Sequence, residues 1–197
     1  MFVKYILGET AMNTRNGFVF YIFFCLLFVP VPGHTEVIKF HYPDGMLMSE
    51  FSWQEMKMHG ISKKYFEDGK LKLEENYSDG KLEGISKKYN QSGVLVTEFN
   101  FKNGNREGIN RQYYDNGALK AEFTFKNGEP DGITRLYSES GNLLAEGIYI
   151  NSKREGITSL YHENGKIHHI DIYKDGRKVT RKTFTANGEL ESEEDYE

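Results

Sequence analysis

The sequence predicts an all-β chain, an elongated, twisted antiparallel meander of tandem 24-residue β-hairpin repeats forming a single array. Three observations carry this. A unit that opens Gly60-Ile61-Ser62-Lys63-Lys64-Tyr65 starts again at Gly84, Gly108, Gly132 and Gly156, always 24 residues on. Each unit holds two turn signals, Glu67-Asp68-Gly69 and Ser78-Asp79-Gly80 in the first of them. Glycine after a short polar residue is turn chemistry, because it takes a positive φ at no steric cost. The segments between turns are about six to seven residues long, which is strand length and too short for a helix.

The register within a hairpin follows from the apolar pattern. A three-residue loop, a type I turn closed by a left-handed glycine, sets Phe66 opposite Lys70, Tyr65 opposite Leu71 and Lys63 opposite Leu73. Alternation then places Ile61, Lys63, Tyr65, Leu71, Leu73 and Tyr77 on one face, and Ser62, Lys64, Lys72, Glu74 and Asn76 on a wet opposite face. A two-residue loop scatters the apolar set across both faces, so the three-residue loop is preferred. Pro43 in Pro43-Asp44-Gly45 agrees, since a type I turn accepts its fixed φ at that position. Gly69, Gly93, Gly117, Gly141 and Gly165 are therefore expected to hold positive φ.

Four stripes repeat across the units. They run through Ile61, Ile85, Ile109, Ile133 and Ile157; through Tyr65, Tyr89, Tyr113, Tyr137 and Tyr161; through Leu71, Leu95, Leu119, Leu143 and Ile167; and through Tyr77, Phe101, Phe125, Tyr149 and Tyr173. If the sheet curls around them, the stripes are core, which is the favoured expectation because each unit must bury something. If the sheet stays open they line a groove, and Tyr65, Tyr89, Tyr113, Tyr137 and Tyr161 become the candidate partner-binding residues.

The array is expected over residues 36–197, as about seven units with the first and last degenerate. In Glu36 to His59, Gly45, Leu47, Glu50 and Trp53 match Gly69, Leu71, Glu74 and Tyr77, but the second turn, Gln54-Glu55-Met56-Lys57, lacks its glycine. Val179 to Glu197 keeps Phe184, Gly188, Leu190, Glu193 and Tyr196, and ends in an acidic strand that discourages edge-to-edge aggregation. Residues 1–33 stand apart. Arg15, the uncharged run Phe18 to Val29 and the Pro30-Val31-Pro32-Gly33 exit have the form of a signal peptide cut near His34, with Met12 a candidate start. The mature protein is then exported, periplasmic or secreted, and the alternative is a membrane anchor over residues 18–29. Cys25, the only cysteine, lies in that run, so the array has no thiol chemistry.

The unit Tyr-x-x-Asp/Asn-Gly-x-Leu-x-x-Glu-x-x-Tyr/Phe-x-x-Gly resembles the MORN repeat variant over residues 36–197, and arrays of it are similar to the YwqK-like antitoxins of toxin–antitoxin systems. The resemblance implies a β-hairpin array with an interaction role. A leader suits an immunity-like or envelope protein better than a cytosolic antitoxin.

The remaining residues point away from chemistry. His162, His168 and His169 share one unit, with His162 and His168 diagonal neighbours and His169 directed to the other face. Two histidines hold a metal only with a third ligand, and the simpler reading is ordinary surface histidine. Glu74, Glu98, Glu122 and Glu146 form a carboxylate row that breaks at Ile170, with Ser62, Ser86, Asn110 and Thr134 expected opposite and Lys64, Lys87, Lys88 and Arg111 nearby. Cross-strand hydrogen bonds and ion pairs explain the row better than a bound cation. No nucleophile–base motif or phosphate loop is present, and tandem copies supply equivalent surfaces where catalysis needs one differentiated pocket. With 25 basic against 29 acidic residues, a nucleic-acid partner is not expected. The expected function is non-enzymatic, without metal or cofactor: an interaction module for another protein, antitoxin- or immunity-like. The alternative is a structural envelope protein that binds glycan or membrane lipid through its aromatic stripes.

Overall fold

Each turn of the repeat closes as local chemistry requires, and the turns string the strands into one sheet. The computed structural model describes residues 35–197. The expected leader, with Met12, Arg15, Cys25 and the apolar run, lies outside the described residues. The strands are β1 (Glu36–His41), β2 (Leu47–Gln54), β3 (Lys57–Tyr65), β4 (Leu71–Ser78), β5 (Lys81–Leu82), β6 (Gly84–Tyr89), β7 (Leu95–Lys102), β8 (Asn105–Arg106), β9 (Gly108–Tyr113), β10 (Leu119–Lys126), β11 (Glu129–Tyr137), β12 (Leu143–Ile150), β13 (Lys153–Tyr161), β14 (Ile167–Lys174), β15 (Arg177–Phe184) and β16 (Leu190–Asp195). Fourteen of them follow one another in sequence order across a single open sheet, while the two-residue β5 and β8 pair only with β4 and β7. The described residues contain no helix.

The first turn of each unit is the expected three-residue loop. Phe66 N–H donates to Lys70 O at 2.8 Å, Gly69 N–H donates to Phe66 O at 2.9 Å, and Tyr65 pairs with Leu71. The five turn glycines have φ between 80° and 86°. The second turn is a two-residue loop with both residues at positive φ, as at Asn103-Gly104 (52° and 86°). That mirror-image turn matches the right-handed twist of the flanking strands, which is why Asn-Gly and Asp-Gly recur there. Glu55-Met56 closes the same kind of turn in the first unit, at 49° and 61°, without a glycine.

Beyond the turn the structure departs from the expected register. Lys64, not Lys63, pairs with Leu73, and Lys63 pairs with Glu74. The register shifts between Tyr65 and Lys64, which leaves Lys72 as the extra residue of a β-bulge. The same shift recurs at Tyr89, Tyr113, Tyr137 and Tyr161. Because side chains alternate with period two, one extra residue turns the whole return strand over. Ile61, Lys63, Tyr65, Leu71 and Glu74 therefore share one face, here called the ladder face. Ser62, Lys64, Leu73, Glu75 and Tyr77 share the other, the aromatic face. The expected single apolar face is split, and Glu74 faces Lys63 rather than Ser62.

The fully buried residues all lie on the aromatic face. They are Ser49, Ser62, Ser86, Asn110, Ala121, Gly147 and Asp171. Ser62, Ser86 and Asn110, expected on a wet face, are instead buried opposite larger residues: Phe51 pairs across the strand with Ser62, Phe99 with Ser86 and Phe123 with Asn110. In a single-layer sheet a small residue beside an aromatic one is how surface gets buried. Ala121 is the only buried hydrophobic residue among those described, so stability rests on neighbour-to-neighbour contact rather than on a core.

Along one margin of the aromatic face the fourth stripe gains partners from the strand that follows. Tyr77 pairs with Leu82, Phe101 with Arg106, Phe125 with Pro130, Tyr149 with Arg154 and Tyr173 with Lys178. The Arg106 guanidinium lies 4.2 Å from the Phe99 ring centre and 5.3 Å from that of Phe125. Arg154 donates to both the Tyr149 and Tyr173 hydroxyls at 3.0 Å. Cations over ring faces and hydroxyls accepting from guanidinium tie consecutive units together.

Candidate interaction surface

On the ladder face the bulge brings opposite charges into register. One line of paired residues crosses the sheet: Lys39, Glu50, Lys63, Glu74, Lys87, Glu98, Arg111, Glu122, Arg135 and Glu146, then Ser159 and Ile170, then Lys182 and Glu193. Sign alternates at every step outside the Ser159–Ile170 interruption. Arg111 sits between Glu98 at 3.4 Å and Glu122 at 3.0 Å, and Lys182 lies 3.0 Å from Glu193. These side chains are partly exposed, so each pair is worth about 0–1 kcal/mol and the line sets register more than stability. Ion pairing accounts for the carboxylate row, with lysine and arginine as the cross-strand partners everywhere except Ser159 opposite Glu146.

The five candidate tyrosines flank this line and are half-buried. Tyr65 O–H donates to Glu50 Oε1 at 2.8 Å. Burial, and then that carboxylate, push the Tyr65 hydroxyl up to about 12. Tyr113 and Tyr137 are raised as well, by burial and then by Glu98 and Glu122 respectively. A phenol beside a carboxylate stays neutral because ionising it sets two negative charges together. Tyr65, Tyr113 and Tyr137 are thus tied to the charge line at their polar ends. Tyr65 also lines an apolar hollow with Phe40, Tyr42, Met48 and Phe51.

The isoleucine stripe, expected in the core, is open instead. Ile61, Ile85, Ile109, Ile133 and Ile157 keep 40–55% of their surface exposed, and Ile148 beside Ile133 keeps 40%. These residues form the apolar track of the ladder face, with the charge line alongside. Spacing alone does not reveal their exposure, since it follows from the bulge.

The three histidines come together, contrary to the expected divergence of His169. His168 is the bulge residue of its unit, so it turns to the same side as His169. Ring centres lie 4.2 Å apart for His162 and His168, and 3.7 Å for His168 and His169. The rings stack in a row rather than converge on one point, and among the described residues no three such side chains are arranged to hold a metal. His162 Nε2 lies 3.0 Å from Phe184 O, the bond that Tyr114 O–H makes to Tyr137 O at 2.7 Å and Tyr42 O–H to Tyr65 O at 2.8 Å. It therefore donates to the carbonyl and joins its unit to the next. Burial, then His168, holds His169 below the ordinary histidine value.

No curated protein matches the chain. The MORN repeat variant matches residues 58–79, 82–103, 106–127, 130–151 and 154–175, which together make up more than half of the chain. Those boundaries keep the 24-residue spacing, and each matched segment runs from the strand after one mirror-image turn to the residues of the next. The chain therefore belongs to the MORN repeat variant family.

Proposed function

We propose that the array is a non-enzymatic protein-interaction module whose docking face is the ladder face. One observation carries the reading: five isoleucines in a line, each 40–55% exposed, beside an alternating charge line on an open sheet. Apolar residues bordered by charge are the composition of a recognition surface, in which apolar contact supplies affinity and charge supplies register. Family membership supports an interaction role of this kind. Five equivalent copies suit an extended partner that repeats its contacts and do not suit one differentiated catalytic pocket.

The finer reading is an exported module with a single protein partner, in the manner of an immunity protein. It rests on the resemblance to antitoxin arrays and on the sequence of residues 1–33. The test is capture from envelope extract with wild type and with an Ile109→Asp/Ile133→Asp variant. One stoichiometric protein held by wild type and lost by the variant, with the circular dichroism spectrum unchanged, supports the proposal. Co-sedimentation with cell wall or lipid vesicles, without a protein partner, favours the envelope-structural alternative. N-terminal sequencing after fractionation tests export: a species starting near His34 in the envelope is expected, and full-length protein in the cytosol refutes it.

A further inference from the structure

We infer that the two edges of the sheet, open among the described residues, are complementary, and that β16 of one copy pairs with β1 of a second copy to extend the array head to tail. The occupant of each edge is thus another copy of this chain.

Direction comes first. All neighbours on the fourteen-strand path are antiparallel, so the first and last strands of an even-numbered path run in opposite directions. A second copy's β1 laid beside β16 therefore continues the same antiparallel meander.

Charge comes second. The alternating line opens with Lys39 on β1 and closes with Glu193 on β16. Placing Lys39 of one copy opposite Glu193 of the other continues the alternation without a break. In that register Glu191 comes beside His41 and Asp195 beside Val37. Two β16 strands brought together would instead oppose Glu191, Glu193, Glu194 and Asp195 to their own kind. Like charges directly opposite are unfavourable, so the acidic edge rejects itself and accepts β1.

Backbone polarity comes third. Tyr42 N–H donates inward to Met46 O, so along β1 the residues whose N–H and C=O point outward are Val37, Lys39 and His41. Tyr196 N–H donates inward to Val179 O, which leaves Glu193 and Asp195 pointing outward on β16. Lys39 with Glu193, and Val37 with Asp195, are therefore hydrogen-bonding pairs in the register that the charges select. Among the described residues the β1 edge is also poorly protected, with Val37 55% and Ile38 41% exposed and no proline within the strand.

Such a contact does not close on itself, so it yields an open series of oligomers rather than a fixed dimer. Sedimentation velocity on the chain, with whatever N-terminus it carries when recovered from cells, reads it directly. Wild type is expected to grow in mass with concentration through dimer, trimer and beyond, less so at high salt. Lys39→Glu and Glu193→Lys are each expected to raise the concentration for half-association about tenfold. An equimolar mixture of the two variants is expected to recover association, because the carboxylate introduced on β1 of one then meets the ammonium introduced on β16 of the other. Loss of internal contacts, Lys39 with Glu50 or Glu193 with Lys182, would not be rescued by mixing. Should either variant fail to fold, Asp195→Pro removes an outward N–H without a charge reversal and is expected to block growth. A wild-type chain that stays monomeric, a dimer insensitive to Glu193→Lys, or a mixture that stays dissociated overturns the inference.

Discussion

Replacing Gly117 isolates the energy stored in the first turn of a unit. Its φ is +83°, in the left-handed region that L side chains avoid. A Cβ placed there would meet no heavy atom within 4 Å, so Gly117→Ala introduces strain without a clash. The left-handed conformation costs a residue with a Cβ about 1–2 kcal/mol, and a β-branched Val more. For a chain of this size that is a fall in melting temperature of about 2–8 °C. Thermal unfolding followed by circular dichroism measures it, with Gly117→Asn as the mild member of the series because asparagine tolerates this conformation. Gly147→Ala supplies the contrast. Its φ is ordinary, but its Cβ would lie 2.7 Å from Thr158 Oγ1. Thr158→Ala should therefore rescue Gly147→Ala, while no neighbouring substitution rescues Gly117→Ala. An unchanged melting temperature for Gly117→Val would refute the turn assignment.

Other substitutions follow from the same geometry. Glu55-Met56→Asn-Gly should stabilise by about 1 kcal/mol, visible as a higher melting temperature, because both residues hold positive φ and Met56 is 74% exposed and loses no packing. Arg181→Met should cost about 3–5 kcal/mol in urea unfolding, because Asp171 is buried and accepts from Arg181 Nε and Nη2 at 2.7 Å each; Arg181→Met/Asp171→Leu should recover much of the loss. The hydrogen bonds from Arg181 hold the Asp171 carboxyl below its ordinary value. Its contribution is therefore full above the unfolded carboxyl range and lost as pH falls through the folded value, so Asp171→Asn should flatten the acid limb of a stability–pH curve. Tyr65, raised to about 12, should stay neutral past the ordinary tyrosine value in an ultraviolet titration, and its contribution should be lost as pH rises through about 12; Glu50→Gln should move that ionisation down.

Whatever depends on local backbone chemistry was legible in the amino-acid order. Period, strand length, turn positions and the left-handed glycines follow from where Asp, Asn, Ser and Gly stand, because a turn is a property of four neighbouring residues. The Tyr65–Leu71 pair was equally legible, being adjacent to the loop that sets it. What lies beyond Lys72 was not. A bulge is an agreement between two strands, and no residue type in Leu71-Lys72-Leu73 announces it. Alternation carried past that point assigns Glu74 to Ser62, and Ile61 to a core, whereas the sheet sets Glu74 against Lys63 and leaves Ile61 open. The alternating charge line shows the same division. Its residues recur at fixed places in the units, but their order across the sheet exists only once fourteen strands lie side by side. Burial was decided there too. Asn110 is a polar side chain that composition assigns to the surface, yet it is inaccessible opposite Phe123 on the next strand, where its amide accepts from Asn100 N–H and donates to Gly108 O.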